Sequence, residues 1–290
     1  MPTIRYEAPR SVADAVQLMQ ADPEARVLAG GTDLLIQFRA GVRQPSAFVD
    51  VKYIPELVTI ADRDGSSRIG ASVAAAAIGE HAALSRLWPG LVEAAHLIGS
   101  TQIQGRASLG GNLCNASPAA DSTCALIVSR AQCVIAGPSG ERRVPVEEFC
   151  TAPGRTVLQR GEILVALELP RPSARTSDAY LRLIPRSEMD IAIAGAAVSV
   201  TVDASGVCTA ARVAVGAVAP TALLVPGAAA ALVGSRLDDD ALGRAADAAR
   251  SVTRPIDDKR GTVAYRRQVV GVLVKRAAAK AADRAKGITS

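Results

Sequence analysis

Gly105-Arg106-Ala107-Ser108-Leu109-Gly110-Gly111-Asn112-Leu113-Cys114-Asn115-Ala116-Ser117-Pro118-Ala119-Ala120-Asp121 is the stretch on which the reading of this chain turns. It sits in a polar, glycine-rich segment, residues 100–120, that has little periodicity yet carries apolar residues a free solvated loop would not need. Its Gly-Gly pair lies between apolar neighbours with hydroxyl and amide side chains beside it. Glycines permit positive φ and close backbone approach, and consecutive N–H groups in such bends can converge on an anion. A second segment repeats the pattern: Val27-Leu28-Ala29-Gly30-Gly31-Thr32-Asp33-Leu34.

Neither segment contains a lysine or fits GxxxxGK[ST], and GxGxxG is absent from the chain. A P-loop ATPase and a Rossmann site are therefore unsupported. What remains is a phosphate cradle of backbone amides, helped by Thr32, Ser108 and Asn112. Charge-assisted hydrogen bonds contribute about 1.5–3 kcal/mol each, so four give on the order of 6–12 kcal/mol. That holds a dinucleotide even after the ordering costs of association. One Gly-Gly pair is usually only a tight turn; two, the second inside a Ser/Asn/Ala/Pro run, are harder to dismiss.

Working outward, Ser11 caps a short helix with Val12, Ala15, Val16 and Met19 on one face. A buried strand over 26–29 runs into the first Gly-Gly pair, and a helix or turn over 34–39 follows it. Strands are expected at 47–51, 57–61, 68–71, 132–136, 143–146 and 165–169. Helices are expected at 73–77 (Ser72 as cap), 79–87, 91–98 and 122–129. The polar, aperiodic link between Pro170 and Asp178 is the best domain boundary. Beyond it come β-rich segments at 179–183, 192–202 and 207–216, then helices at 240–250 and 262–286. In the last helix Val269, Val272, Leu273 and Arg276 mark the packing face.

Composition narrows the chemistry. The 290 residues, 49% hydrophobic and 21% charged, suffice for two domains at roughly 100–200 residues each. The longest apolar runs, 73–78 and 192–198, fall far short of the roughly 20 residues that span a bilayer. With no apolar leader at the N-terminus and five cysteines without CxxC spacing, a reducing cytoplasmic setting is expected. The net charge of +5 is dispersed and aromatics are 3% of the chain, which disfavours nucleic acid. The two histidines, His81 and His96, lack partners at metal-ligand spacing, so zinc hydrolysis and His-based triads lose their parts. Any chemistry then falls to a bound cofactor.

These residues resemble the FAD-binding medium subunit of the molybdenum hydroxylases, the xanthine dehydrogenase and aerobic carbon monoxide dehydrogenase family. The matches are Ala29-Gly30-Gly31-Thr32-Asp33, the run from Ala107 to Asn112 continuing through Ala116–Asp121, Gly161-Glu162-Ile163-Leu164, and Tyr180-Leu181-Arg182 with Arg186, Asp190, Ile191 and Ala192. They keep the family's order and spacing across nearly the whole chain. The resemblance implies an α+β fold: a type 2 FAD-binding domain of two α+β subdomains (residues 1–56 and 57–172) and a C-terminal α+β domain at 178–288, its sheet covered by helices on one face.

Site roles follow by the same resemblance. Leu28, Ala29, Gly30, Gly31, Thr32, Asp33 and Leu34 would clamp the pyrophosphate together with Ala107, Ser108, Gly110, Gly111 and Asn112. Ser117 belongs to the same motif. Asp121 would hold the ribose or adenine side, and Leu164 would line the adenine pocket. Thr101 and Ile103 would lie near the flavin, with Asp190 and Ile191 at the isoalloxazine edge. Arg182 stands where the family commonly has lysine, which keeps the charge and changes the donor geometry. Thr32-Asp33 replaces the His-Ser of the carbon monoxide enzymes and points toward the xanthine-dehydrogenase-like branch. Cys114, Cys124, Cys133 and Cys150 lack the insertion that carries a cluster in the benzoyl-CoA reductase branch, so no cluster is expected on this chain.

The expected function is electron transfer through FAD. A large molybdopterin subunit would hydroxylate the substrate, an N-heterocycle or purine, and a small [2Fe–2S] subunit would relay electrons here for NAD or another acceptor. A dimer of heterotrimers is expected. The alternatives are the medium subunit of a carbon monoxide or aldehyde dehydrogenase, a free-standing flavin oxidase, and a non-catalytic nucleotide scaffold. Gly110→Val is expected to lose the cofactor with the fold retained.

Overall fold

Three short strands, β1 (Arg5–Glu7), β2 (Arg26–Leu28) and β3 (Ala47–Asp50), lie parallel in the order β1-β3-β2. Parallel neighbours need crossovers, here α1 (Val12–Ala21) and α2 (Leu34–Arg39). Ser11 caps α1 as the sequence predicts, its Oγ accepting from the Asp14 N–H at 3.1 Å, a contact worth about 1 kcal/mol. The computed structural model describes residues 4–63 and 65–288.

The second unit is an antiparallel sheet. The hairpin β4 (Ile60–Arg63)–β5 (Ser66–Gly70) and a later one, β6 (Gln132–Gly137)–β7 (Gly140–Pro145), flank β10 (Ile163–Pro170) in the order β4-β5-β10-β6-β7. Between β5 and β6 the chain builds a helical layer: α3 (Ala75–Glu80), α4 (Ala82–Leu87), α5 (Pro89–His96), α6 (Thr101–Gln104), α7 (Leu109–Cys114) and α8 (Asp121–Val128). Ile69, Leu91, Leu109, Leu126, Ile135 and Leu167 close the core between the layers. After β7 come α9 (Val146–Phe149) and the small hairpin β8 (Cys150–Ala152)–β9 (Arg155–Thr156).

The structure revises several sequence expectations. The aperiodic segment contains two helices, α6 and α7, too short to show a period. The helix after Ser72 starts later, at Ala75, because the Ala107 carbonyl accepts the Ala75 N–H at 2.8 Å and takes the capping role. The helix expected over 79–87 is broken at His81, whose Nδ1 accepts from the Leu84 N–H and starts α4. The strand expected over 57–61 begins at Ile60, since Pro55–Leu57 is a 3-10 turn with proline in its first position.

The C-terminal sheet runs β11 (Thr176–Leu183), β12 (Ala194–Val202), β13 (Cys208–Gly216) and β14 (Leu223–Leu224), antiparallel and in sequence order. α10 (Pro226–Leu232), α11 (Asp239–Ser251) and α12 (Val263–Ala285) cover one face. α10 was invisible to periodicity because five of its seven residues are Ala or Leu behind a Pro-Gly start. On α12 the buried face is Val270, Leu273, Val274, Ala277 and Ala281, with Val272 and Arg276 exposed. The sequence reading missed this rotation because alanines, which let the helix lie close to the sheet, carry most of the contact.

Strand alternation gives this sheet a second apolar face. Ala196, Val198 and Val200 pack toward α10–α12, whereas Tyr180, Ala197 and Ala214 enter the core of the preceding unit. α5 and α8 thus cover the side that the chain's own C-terminal helices leave open. Charged groups lock the contact: buried Asp178 accepts the Gly90 N–H at 2.9 Å, and Glu93 pairs with Lys280 at 2.7 Å and with Arg284.

Candidate functional site

The first glycine pair is a bend, but the second is not: Gly110 and Gly111 lie in the helix α7, and neither has positive φ. A Cβ added to Gly30 would lie 1.8 Å from the Arg106 carbonyl oxygen, so only glycine lets the first bend rest on the backbone that leads into α7. Gly31 adopts φ +77°, which turns the chain from β2 into α2. Gln37 on α2 donates to Asn115 Oδ1 at 2.9 Å and ties α2 to the end of α7. Between them opens a cleft of about 570 Å³, within the range of small-molecule sites.

Ala29, Gly30, Gly31, Thr32, Asp33 and Leu34 form one wall of this cleft. Ala107, Ser108, Gly110, Gly111 and Asn112 form the facing wall, and Leu164 closes one end. The structure therefore brings together twelve of the twenty residues singled out from the sequence. Among the described residues, the N–H groups of Gly31, Thr32, Asp33 and Leu34 have no protein acceptor. On the second wall Ser108 Oγ already accepts the Gly111 N–H at 3.0 Å. Asn112 Oδ1 accepts from the Ser122 N–H and hydroxyl, at 3.3 and 2.7 Å, which orients that amide.

The other eight lie elsewhere. Leu28 packs beneath Gly31, behind the bend. Thr101 is exposed at the start of α6, and Ile103 is tucked under Gly99. Ser117 Oγ accepts from the Ala119 N–H within its own turn. Asp121 is buried and bonded to Arg182 at 2.7 Å and to the Tyr180 hydroxyl at 3.2 Å. Burial pushes the Asp121 carboxyl up, and the Arg182 charge opposes that. Asp190 sits between Arg186 and Arg260, with Ile191 exposed beside it.

The loop from Leu158 to Ile163 adds a third side to the cleft; the sequence reading matched Gly161-Glu162-Ile163-Leu164 to the family but gave only Leu164 a place in the site. Glu162 holds that loop in place: Arg142 grips both its oxygens at 2.7 Å, and the Gln159 N–H reaches it at the same distance. The paired arginine keeps the Glu162 carboxyl below its ordinary range. Arg26, Arg43 and Arg160 also belong to the lining; no motif marks them in the sequence. The Arg26 guanidinium donates to the Pro23 and Ala25 carbonyls, and Arg160 Nε to the Gln20 carbonyl. Cys114 also lines the cleft, and burial raises its thiol to about 12, so it stands there as a neutral group. Among the described residues no three His, Cys, Asp or Glu side chains gather as a metal site.

Unpaired amides on one side, glycines on the other and arginines among the lining suit a diphosphate with organic groups at both ends. Fold and cleft define a protein that binds a dinucleotide-sized cofactor through its diphosphate. Residues 2–172 match the family described as the FAD binding domain in molybdopterin dehydrogenase, and residues 179–281 the CO dehydrogenase flavoprotein C-terminal domain. A carbon monoxide dehydrogenase medium chain from Hydrogenophaga pseudoflava is 34% identical over 277 residues, covering 95% of this chain and 96% of that relative. A xanthine dehydrogenase FAD-binding subunit from Escherichia coli O157:H7 is 36% identical over 219 residues, 74% of each. A chain in the crystal structure of cyanide-inactivated Cu,Mo-CO dehydrogenase matches with a TM-score of 0.94 at 33% identity, covering 98% of this chain and 99% of that one. This chain belongs to the FAD-binding medium subunits of the molybdenum hydroxylase family and is an oxidoreductase subunit with FAD as its cofactor.

Proposed function

We propose that this chain is the FAD-carrying electron-transfer subunit of a three-subunit molybdenum hydroxylase, placed between [2Fe–2S] clusters of a small partner and an external acceptor. The observation that carries the placement of the cofactor is the meeting of the Gly30-Gly31 bend with the start of α7 and the backbone that leads into it, around one cleft. FAD supplies the capacity to take up electrons and pass them on as a pair. The chain's own residues bind and orient it. The N–H groups from Gly31 to Leu34 face the diphosphate, the Ser122-oriented amide of Asn112 donates from the other wall, and the arginines offset its charge. Leu164 and Ile163 give an apolar end for a ring.

The oxidised substrate lies on the large molybdopterin subunit, and an N-heterocycle or purine is proposed for it from Thr32-Asp33. A second reading, carbon monoxide, is favoured by the relative that aligns over 95% of the chain. Purification of the tagged chain from its native host tests both. One FAD per chain, with molybdenum and iron in co-purifying subunits, is expected. Bleaching of the flavin band by hypoxanthine or nicotinate supports the first substrate class, and bleaching by carbon monoxide supports the second. A colourless chain that purifies alone would overturn the proposal.

A further inference from the structure

We propose that Lys52, fixed by Asp50 and Tyr6, is the positioning residue that holds the first glycine bend concave toward the diphosphate of FAD, a role that rests on the placement of FAD given above. Lys52 lies in the 3-10 turn Val51–Tyr53 directly after β3 and outside the cleft. Its Nζ donates to the Ala29 carbonyl at 2.8 Å and to Asp50 Oδ1 at 2.6 Å. Asp50 is 4% exposed; its second oxygen accepts the Tyr6 hydroxyl at 2.7 Å, and its first also accepts the Lys52 N–H at 3.1 Å. Burial pushes the Asp50 carboxyl up, but the Lys52 and Tyr6 hydrogen bonds outweigh it and hold it below the usual range. The Tyr6 phenol, raised to about 12 by that same bond, stays a donor.

Peptide planarity makes this contact matter. In a trans peptide the N–H points opposite to the C=O, and the described residues contain no cis bond. Fixing the Ala29 carbonyl on Lys52 therefore turns the Gly30 N–H to the other side. A rotated peptide would present a carbonyl oxygen to the phosphates and reverse the sign of the local dipole. The effect extends further, because Gly30 rests on the Arg106 carbonyl: a shift of the bend displaces the backbone that leads into α7. An exposed Lys–Asp pair is worth little by itself. Here three-quarters of the Lys52 side chain is covered, and its second partner is the backbone of the bend.

The test compares the full-length wild type, Lys52→Met and Lys52→Arg in their apo forms, titrated with FAD, ADP and adenosine. In Lys52→Met the affinities for FAD and ADP are expected to fall at least tenfold. Adenosine, which lacks the diphosphate, should bind as before, and Lys52→Arg should restore most of the loss. A melting temperature within a few degrees of wild type shows that the fold persists. If Lys52→Met does not fold, Tyr6→Phe provides the same comparison and should weaken FAD and ADP by two- to threefold with adenosine unchanged. Wild-type FAD affinity in both variants overturns this proposal alone, as does an equal loss for adenosine and ADP. A wild type that binds neither FAD nor ADP overturns the placement of FAD and this proposal with it.

Discussion

Gly111→Ala separates a cofactor cradle from a merely tight turn. A Cβ at Gly111 would meet only Ser108 Oγ, at 3.0 Å, a hydroxyl that can give way by a few tenths of an ångström. The residue lies inside α7, where alanine is favoured over glycine by roughly 1 kcal/mol. The apo protein should therefore melt within about 4 °C of wild type. The cleft should respond differently, because Gly111 lines it and the new methyl would occupy space a diphosphate needs. Displacing the phosphates from two charge-assisted hydrogen bonds costs about 3–6 kcal/mol, or roughly a hundred- to ten-thousand-fold in affinity. Quenching of flavin fluorescence on titration of the apo protein measures it. Undiminished FAD binding in a folded Gly111→Ala protein would refute the assigned wall. Gly110→Val, the choice suggested by the sequence, is the wrong variant: a Cβ there falls 2.4 Å from the Ala71 carbonyl oxygen and would disrupt the fold first.

Other expectations concern the contact between the two domains. Asp121→Asn leaves Arg182, whose side chain is 5% exposed and whose Nε already has no partner, buried without its counter-charge. Urea unfolding should show a loss of about 3–5 kcal/mol, and adding Arg182→Met should recover part of it. Asp178, wholly buried with Oδ2 unpartnered, has its carboxyl raised to about 7 by burial and by nearby Glu93, against the pull of Gly90 and Arg284. Its folded value exceeds the unfolded one, so its contribution is complete below about pH 4 and is lost as pH rises toward 7. Relative to Asp178→Asn, the wild type should gain on the order of 2 kcal/mol between pH 8 and pH 5.5 by denaturant midpoints; a pH-independent difference would contradict the raised value.

Much of this architecture was legible because it obeys short-range rules. Ser11 caps its helix as side-chain chemistry dictates, and the β-rich segments at 192–202 and 207–216 pair as neighbours. The two glycine walls were legible for a related reason, since close backbone approach admits almost no other residue. What escaped depends on distant partners. α3 is capped by a backbone carbonyl more than thirty residues away rather than by Ser72. The third wall of the cleft stands where it does because Arg142 reaches across to Glu162. Arg26, Arg43 and Arg160 read as ordinary surface charge until the fold gathers them.

Among the described residues the C-terminal domain contributes none to the cleft lining, yet it packs on α8, whose second residue bonds the lining residue Asn112. Every residue of α8 is buried, and its first, Asp121, is held by Tyr180 and Arg182 of β11. The next, Ser122, orients the Asn112 amide that faces the cleft. A displacement of β11 would reach Asn112 through two consecutive residues of a packed helix, where neighbouring side chains leave little room for compensation. Asp121 and Arg182 lie outside the cleft lining, and we propose that they act on the site through this path rather than by contact with the ligand. On this account Arg182→Lys, which keeps the charge but loses the forked donor, should weaken FAD binding only as far as it loosens Asp121. A loss of affinity without a loss of stability would instead place Arg182 on the cofactor itself.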